Sequence, residues 1–169
     1  MRNLDSKKIV SGGLATAITI LSLYGGTLVR NNRISFMVLA TYISAIPYIM
    51  EARTVGILSY AASSALALIL VPNKAYAMVY VLTGIYPLVK LICEGYNIVL
   101  EYIIKYLWFN VVVAVIYLLF KNIIIINPAL STPLGVAAII AAAQVFFFVY
   151  DFIFTRFIMF FRRRVLGIK

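Results

Sequence analysis

The residues of this chain whose types and spacing bear on chemistry are concentrated in YPLVKLICEGYNIVLEYIIKYLWFN, residues 86–110. There Lys90, Glu94, Glu101 and Lys105 stand between apolar runs. Asp151 and Arg156 form a second group of charges inside an apolar stretch. Acids and bases this close together do acid–base work in an enzyme, mark a membrane surface, or form a polar cluster inside a protein. Glu101 and Lys105 are spaced i,i+4 in the favourable order, and Lys90 and Glu94 have the same spacing in reverse. Lysine and arginine stems are long enough to lift their charges to lipid headgroups, whereas carboxylates have short stems and snorkel poorly. Glu101 and Asp151 therefore argue for a packed polar cluster of Lys90, Glu94, Glu101, Lys105, Asp151 and Arg156 in the inner leaflet. Such a cluster is either structural or a docking surface for a cytoplasmic partner.

The elements that must position these charges follow from composition. Of 169 residues, 64% are hydrophobic and 12% charged, and the mean hydropathy is +1.05. So few charges cannot cover a soluble surface of this size, so the chain reads as an integral membrane protein. Spanning helices need about 17–25 apolar residues. Six stretches meet that length, at about 9–29, 34–50, 54–71, 75–93, 98–120 and 134–161. Pro72-Asn73-Lys74 ends the third, Pro87 is expected to kink the fourth, and Gly95 and Asn97 mark the turn into the fifth. The expected fold is all-α, a single compact bundle of six transmembrane helices. An apolar segment with two prolines, residues 121–133, joins the last two spans.

With six spans, eleven of the 15 Lys+Arg fall on the side shared by both termini. The positive-inside rule then places the N- and C-termini in the cytoplasm. Asp5, Glu51, Glu94, Glu101 and Asp151 all fall in the same half, which leaves the outer half without a carboxylate. The run after MRNLDSKK is too long for a signal h-region, which predicts no removed targeting segment. A net charge of +10 would suggest nucleic acid in a soluble protein. Here the basic residues end apolar runs, so lipid headgroups are the expected partners and nucleic acid is not.

Zero His and one Cys (Cys93) speak against a disulfide, a metal site or a haem. The chain has no helical HExxH and no P-loop, so it reads as a non-enzyme with no cofactor, and any ATP-driven work needs partner subunits. Small residues recur four apart in the first span: Ser11 with Ala15, and Gly13 with Ala17. That spacing allows close helix approach in lipid, either inside the bundle or against a partner helix. Similar sets in the third span (61–65) and the sixth (135–142) read as internal packing.

KKIVSGGLATA (7–17) and, more loosely, LVPNKAYAMVYVLTGIYPLVK (70–90), within six short spans, resemble the substrate-binding (S) components of energy-coupling factor transporters and S-component-like bacterial membrane proteins. The resemblance implies a multi-pass protein of the bacterial cell membrane that captures a vitamin-like or other trace nutrient near its outer face. It also implies docking on a transmembrane coupling subunit through an Ala-xxx-Ala motif on the first helix, with two cytoplasmic ATPases. In this sequence that motif takes the generalised form Ser11, Gly13, Ala15 and Ala17. None of the signature motifs of vitamin-specific members is found, so the solute is unassigned. Residues expected to line an outer cavity are Tyr24, Arg33, Asn73, Lys74, Tyr76, Tyr80, Asn110, Tyr117 and Gln144, with Tyr42 also on the outer part of the second span. Asn110 and Gln144 lie mid-membrane, where each needs a partner, either another helix or a ligand. The competing reading is a non-transporting membrane scaffold with a structural charge cluster.

Overall fold

A computed structural model describes residues 6–50, 53–93, 97–124 and 132–165. Among these the chain is all-helical, and no strand is present. Helix α1 is Ser6–Leu28, and a single 3₁₀ turn at Arg30–Asn32 leads into α2, Arg33–Ile49. They are followed by α3 (Arg53–Leu70), α4 (Lys74–Thr83), α5 (Tyr86–Cys93), α6 (Ile98–Ile124) and α7 (Pro133–Val165). Among the described residues, five stretches are long and apolar enough to cross a membrane: Ser6–Leu28, Arg53–Leu70, Lys74–Cys93, Ile98–Phe120 and Gly135–Arg164. Helix α2, at 17 residues, is shorter.

Helices α4 and α5 together occupy the expected fourth span. They are separate because Pro87 has no amide hydrogen to continue the helix ladder. The Gly84 amide still reaches the Tyr80 carbonyl at 2.7 Å, and Leu88 restarts the pattern on Ile85 at 3.0 Å. In the break, the Tyr60 hydroxyl of α3 donates to the Val81 carbonyl. A neighbouring helix thus satisfies a carbonyl that the interrupted ladder leaves free.

Two cores hold the bundle. The first joins Leu23, Ala40, Ala67, Val71, Tyr76, Ala77 and Tyr80, and so draws on α1 to α4. Its helices approach closely because small residues line the contacts. A Cβ on Gly12 would stand 2.5 Å from Val55, and one on Gly56 would stand 2.6 Å from the Tyr48 ring. Buried hydroxyls bridge the same helices: Thr16 and Ser59 lie 2.8 Å apart, and Ser63 and Tyr80 2.9 Å apart. The second core is aromatic and joins Ala45, Ile49, Tyr86, Phe147, Phe154 and Ile158. Tyr42 stacks on Phe154 and Phe157 with ring centroids 4.8 and 5.1 Å apart. Phe109 of α6 stacks on Phe147 of α7 at 4.3 Å. Long side chains rather than close backbones therefore hold α7.

The small-residue faces differ from expectation. Ser11 and Ala15 point inward, and Ser11 donates to Met50 Sδ at 3.2 Å. Gly13 and Ala17 point outward, with open space around Gly13. In α3 the buried small residues are Gly56, Ser59, Ser63, Ser64 and Ala67, while Ala61, Ala62 and Ala65 are exposed; Ala138, Ala141 and Ala142 of α7 are exposed too. The internal packing expected of residues 61–65 thus holds for Ser63 and Ser64 but is corrected for the three alanines, as it is for Ala138, Ala141 and Ala142 of the 135–142 set. Helical phase turns them away from the bundle.

Candidate functional site

The charges of the 86–110 stretch meet Asp151 in a single chain of ion pairs. Lys90 of α5 pairs with Asp151 Oδ1 of α7, and Lys105 of α6 pairs with Glu101 one turn earlier. Lys105 also lies 3.5 Å from Asp151 Oδ2. Signs alternate along Lys90, Asp151, Lys105 and Glu101, so the set is neutral. Both lysines are interior, at 1% and 3% exposure, whereas Asp151 keeps 14% and Glu101 22%. Lys90 donates further to Thr155 Oγ1 at 2.8 Å, and Thr155 donates to the Asp151 carbonyl at 2.8 Å. The Tyr86 hydroxyl donates to Asp151 Oδ1. Asp151 is thus the hub, and α5, α6 and α7 all converge on it.

Local sequence explains the convergence. Tyr86 and Lys90 are four apart on α5, as are Asp151 and Thr155 on α7, so each pair shares a helix face. Lys90 stands in the last turn of α5 and Glu101 in the first turn of α6, each at the helix end whose dipole favours its charge. Buried charge is tolerated only when it is paired and hydrogen-bonded. The network meets that condition and fixes the register of three helices.

One described member of the expected cluster stands apart. Arg156 is not drawn to Asp151; its guanidinium lies over the Phe152 ring at 5.2 Å. Glu94 lies outside the described residues. Tyr86 and Thr155 were not anticipated, although their i,i+4 spacing from Lys90 and Asp151 was the available signal.

Next to the network, Tyr86 lines an apolar pocket of about 140 Å³. Its walls are Ile34, Met37, Val38 and Thr41 of α2, Trp108, Phe109, Val112, Val113 and Ile116 of α6, and Phe146, Phe147 and Tyr150 of α7, with Thr83 of α4. Trp108, the only tryptophan of the chain, lies 5.2 Å from the Tyr86 ring.

The nine residues expected around an outer cavity do not gather around this pocket. The Tyr76 hydroxyl donates to the Arg33 carbonyl at 2.8 Å, and Asn73 caps α4 by accepting from the Tyr76 amide at 3.1 Å. Lys74 caps the end of α3 through the Leu68 and Ile69 carbonyls, at 2.7 and 3.0 Å. Tyr80 is fully buried in the first core. Gln144 donates to Asn110 at 2.8 Å, so these two mid-helix amides pair with each other. Tyr24 and Tyr117 face outward. Apart from Tyr24, Arg33 and Tyr117, the expected cavity residues are thus held in helix caps, core packing and interhelical bonds, and a different and more apolar set lines this pocket. Tyr42 packs in the aromatic core.

No protein-family model, curated protein or solved structure matches this chain. Among the described residues, no group of three or more His, Cys, Asp and Glu is placed to hold a metal ion.

Proposed function

We propose that the chain crosses the bacterial cell membrane six times with both termini in the cytoplasm, and that it is a membrane-embedded binding subunit for a small solute with an apolar body. The six-span reading is supported by α2, whose 17 residues reach the lower limit for a crossing, and by the bias of basic residues toward one side. The observation that carries the binding reading is the apolar pocket lined by Tyr86 and Trp108. Concave, mostly apolar sites with aromatic walls and a few polar groups are the usual form of small-molecule sites. In the proposed orientation the pocket lies along the first half of α2, in the outer half of the membrane. This agrees with an S component of an energy-coupling factor transporter, which would work with a coupling subunit and ATPases. The outward face of Gly13 and Ala17 is then the natural surface for that subunit.

A second reading, a membrane assembly protein, is favoured by one specific observation: the polar residues of the outer half are held in helix caps and interhelical bonds. Native mass spectrometry separates the two. Protein purified from cells that make their own coupling proteins should retain a small molecule, or carry a coupling subunit and ATPases. Finding neither refutes the binding-subunit reading. Trp108 supplies a direct readout, because a solute entering the pocket changes its fluorescence.

A further inference from the structure

Beyond the pocket, the outer surface of α7 carries a second concavity, of a different chemistry. Phe148, Phe152 and Met159 line a groove of about 310 Å³ together with Tyr102, Asp151, Thr155 and Arg156. Arg156 and Met159 also line the adjoining depression of about 480 Å³, which continues to Phe160, Arg163 and Arg164. The two share a helix face, since Phe152, Met159 and Arg163 recur close to whole turns of α7. Among the described residues, no carboxylate pairs with Arg156, Arg163 or Arg164. The carboxylate in the groove, Asp151, is already held by Lys90 and Lys105.

We propose that this face of α7 binds one anionic phospholipid, with its phosphate between Arg156, Arg163 and Arg164 and an acyl chain along Met159, Phe152, Phe148 and Tyr102. The dimensions fit. Phe148 to Met159 spans about 16 Å of helix, close to the roughly 15 Å depth of one leaflet's hydrocarbon. Arg156 and Arg163 are about 10 Å apart along the axis, so two guanidinium side chains can approach one phosphate from below and above. Arg156 lies on the buried side of the headgroup level, where an unpaired cation is costly. A lipid phosphate neutralises it there, and the Phe152 ring supports its guanidinium plane. Guanidinium groups suit phosphate because their planar fork can donate two hydrogen bonds at once.

The test is lipid titration of delipidated full-length protein in detergent, read by native mass spectrometry, with phosphatidylglycerol against phosphatidylcholine of the same acyl chains. The wild type should prefer phosphatidylglycerol for one bound molecule. Each arginine neutralised, in R163Q/R164Q and then R156Q/R163Q/R164Q, should cost about fivefold of that preference. The charge-retaining R156K/R163K/R164K should keep most of it. Inorganic phosphate at millimolar concentration should not displace the lipid. Equal binding of the two lipids by the wild type, or an unchanged preference in the triple glutamine variant, overturns the proposal. So does full displacement by phosphate, which would make this a free-anion site. R163Q/R164Q touches only exposed residues, so the test stands even if changes at Arg156 disturb folding.

Discussion

Removing the charge of Asp151 tests the hub directly. In D151N the shape is nearly kept and the replacing amide can still accept from Tyr86, but Lys90 loses its carboxylate partner. Lys90 is 1% exposed, and its remaining contacts are Thr155 at 2.8 Å and the Phe154 ring at 5.8 Å. Neither carries a negative charge. Breaking a buried pair from one side costs about 3–5 kcal/mol, because the surviving ion stays desolvated. Lys105 retains Glu101, so the loss falls on one lysine and the expected cost of D151N is about 3 kcal/mol, the lower end of that range. D151L removes the acceptor as well and should reach about 5 kcal/mol. The double variant K90M/D151L removes both members of the pair and should be more stable than D151L alone, since an apolar replacement of a buried pair is often close to neutral. Equilibrium unfolding in mixed detergent micelles, followed through Trp108 fluorescence, measures all three. If D151N lies within about 0.5 kcal/mol of the wild type, the range of an ordinary surface change, the network does not hold these helices. A double variant no more stable than D151L would refute the pairing of Lys90 with Asp151.

Further expectations use the same unfolding assay unless stated. E101Q should cost about 1 kcal/mol, since Glu101 is more exposed than its neighbours and Lys105 keeps Asp151 at 3.5 Å; no change would return Glu101 to the surface charges. In a double-mutant cycle, N110A and Q144A should show coupling of about 0.6–1.7 kcal/mol, and zero coupling would contradict their bond. G12V should destabilise strongly because its Cβ meets Val55 at 2.5 Å, whereas G13L should leave stability and solute binding intact and abolish coupled uptake. Wild-type uptake by G13L would remove the docking role. V112F should fill the pocket and reduce retention of a bound molecule in native mass spectra while the protein stays folded; undiminished retention would place the molecule elsewhere.

Much of the helical architecture was legible in the sequence because hydropathy and length act locally. Pro87 announced the break in the fourth span, and Pro72-Asn73 the start of α4. The meeting of Lys90, Glu101, Lys105 and Asp151 was legible as well, because short carboxylate stems need interior partners. What escaped was rotation about the helix axes. Gly12 and Gly13 are adjacent, and only the approach of Val55 decides which of them faces the interior. The pocket was missed for a related reason. Its walls are aliphatic and aromatic side chains from distant helices, indistinguishable in sequence from the rest of a hydrophobic span. The polar residues expected around an outer cavity were conspicuous because helix ends and mid-helix amides need hydrogen bonds.

The interruption at Gly84–Ile85 has a mechanical consequence. To bend, a continuous helix must first give up backbone bonds. In this chain Pro87 has already removed one, and Tyr60 braces the adjacent carbonyl from outside. The segment before the joint is packed among small residues and hydroxyls, and the segment after it among rings and ion pairs. A change of tilt between the two segments therefore breaks few backbone bonds and carries Tyr86 with it, altering together the depth of the apolar pocket and the grip on Asp151.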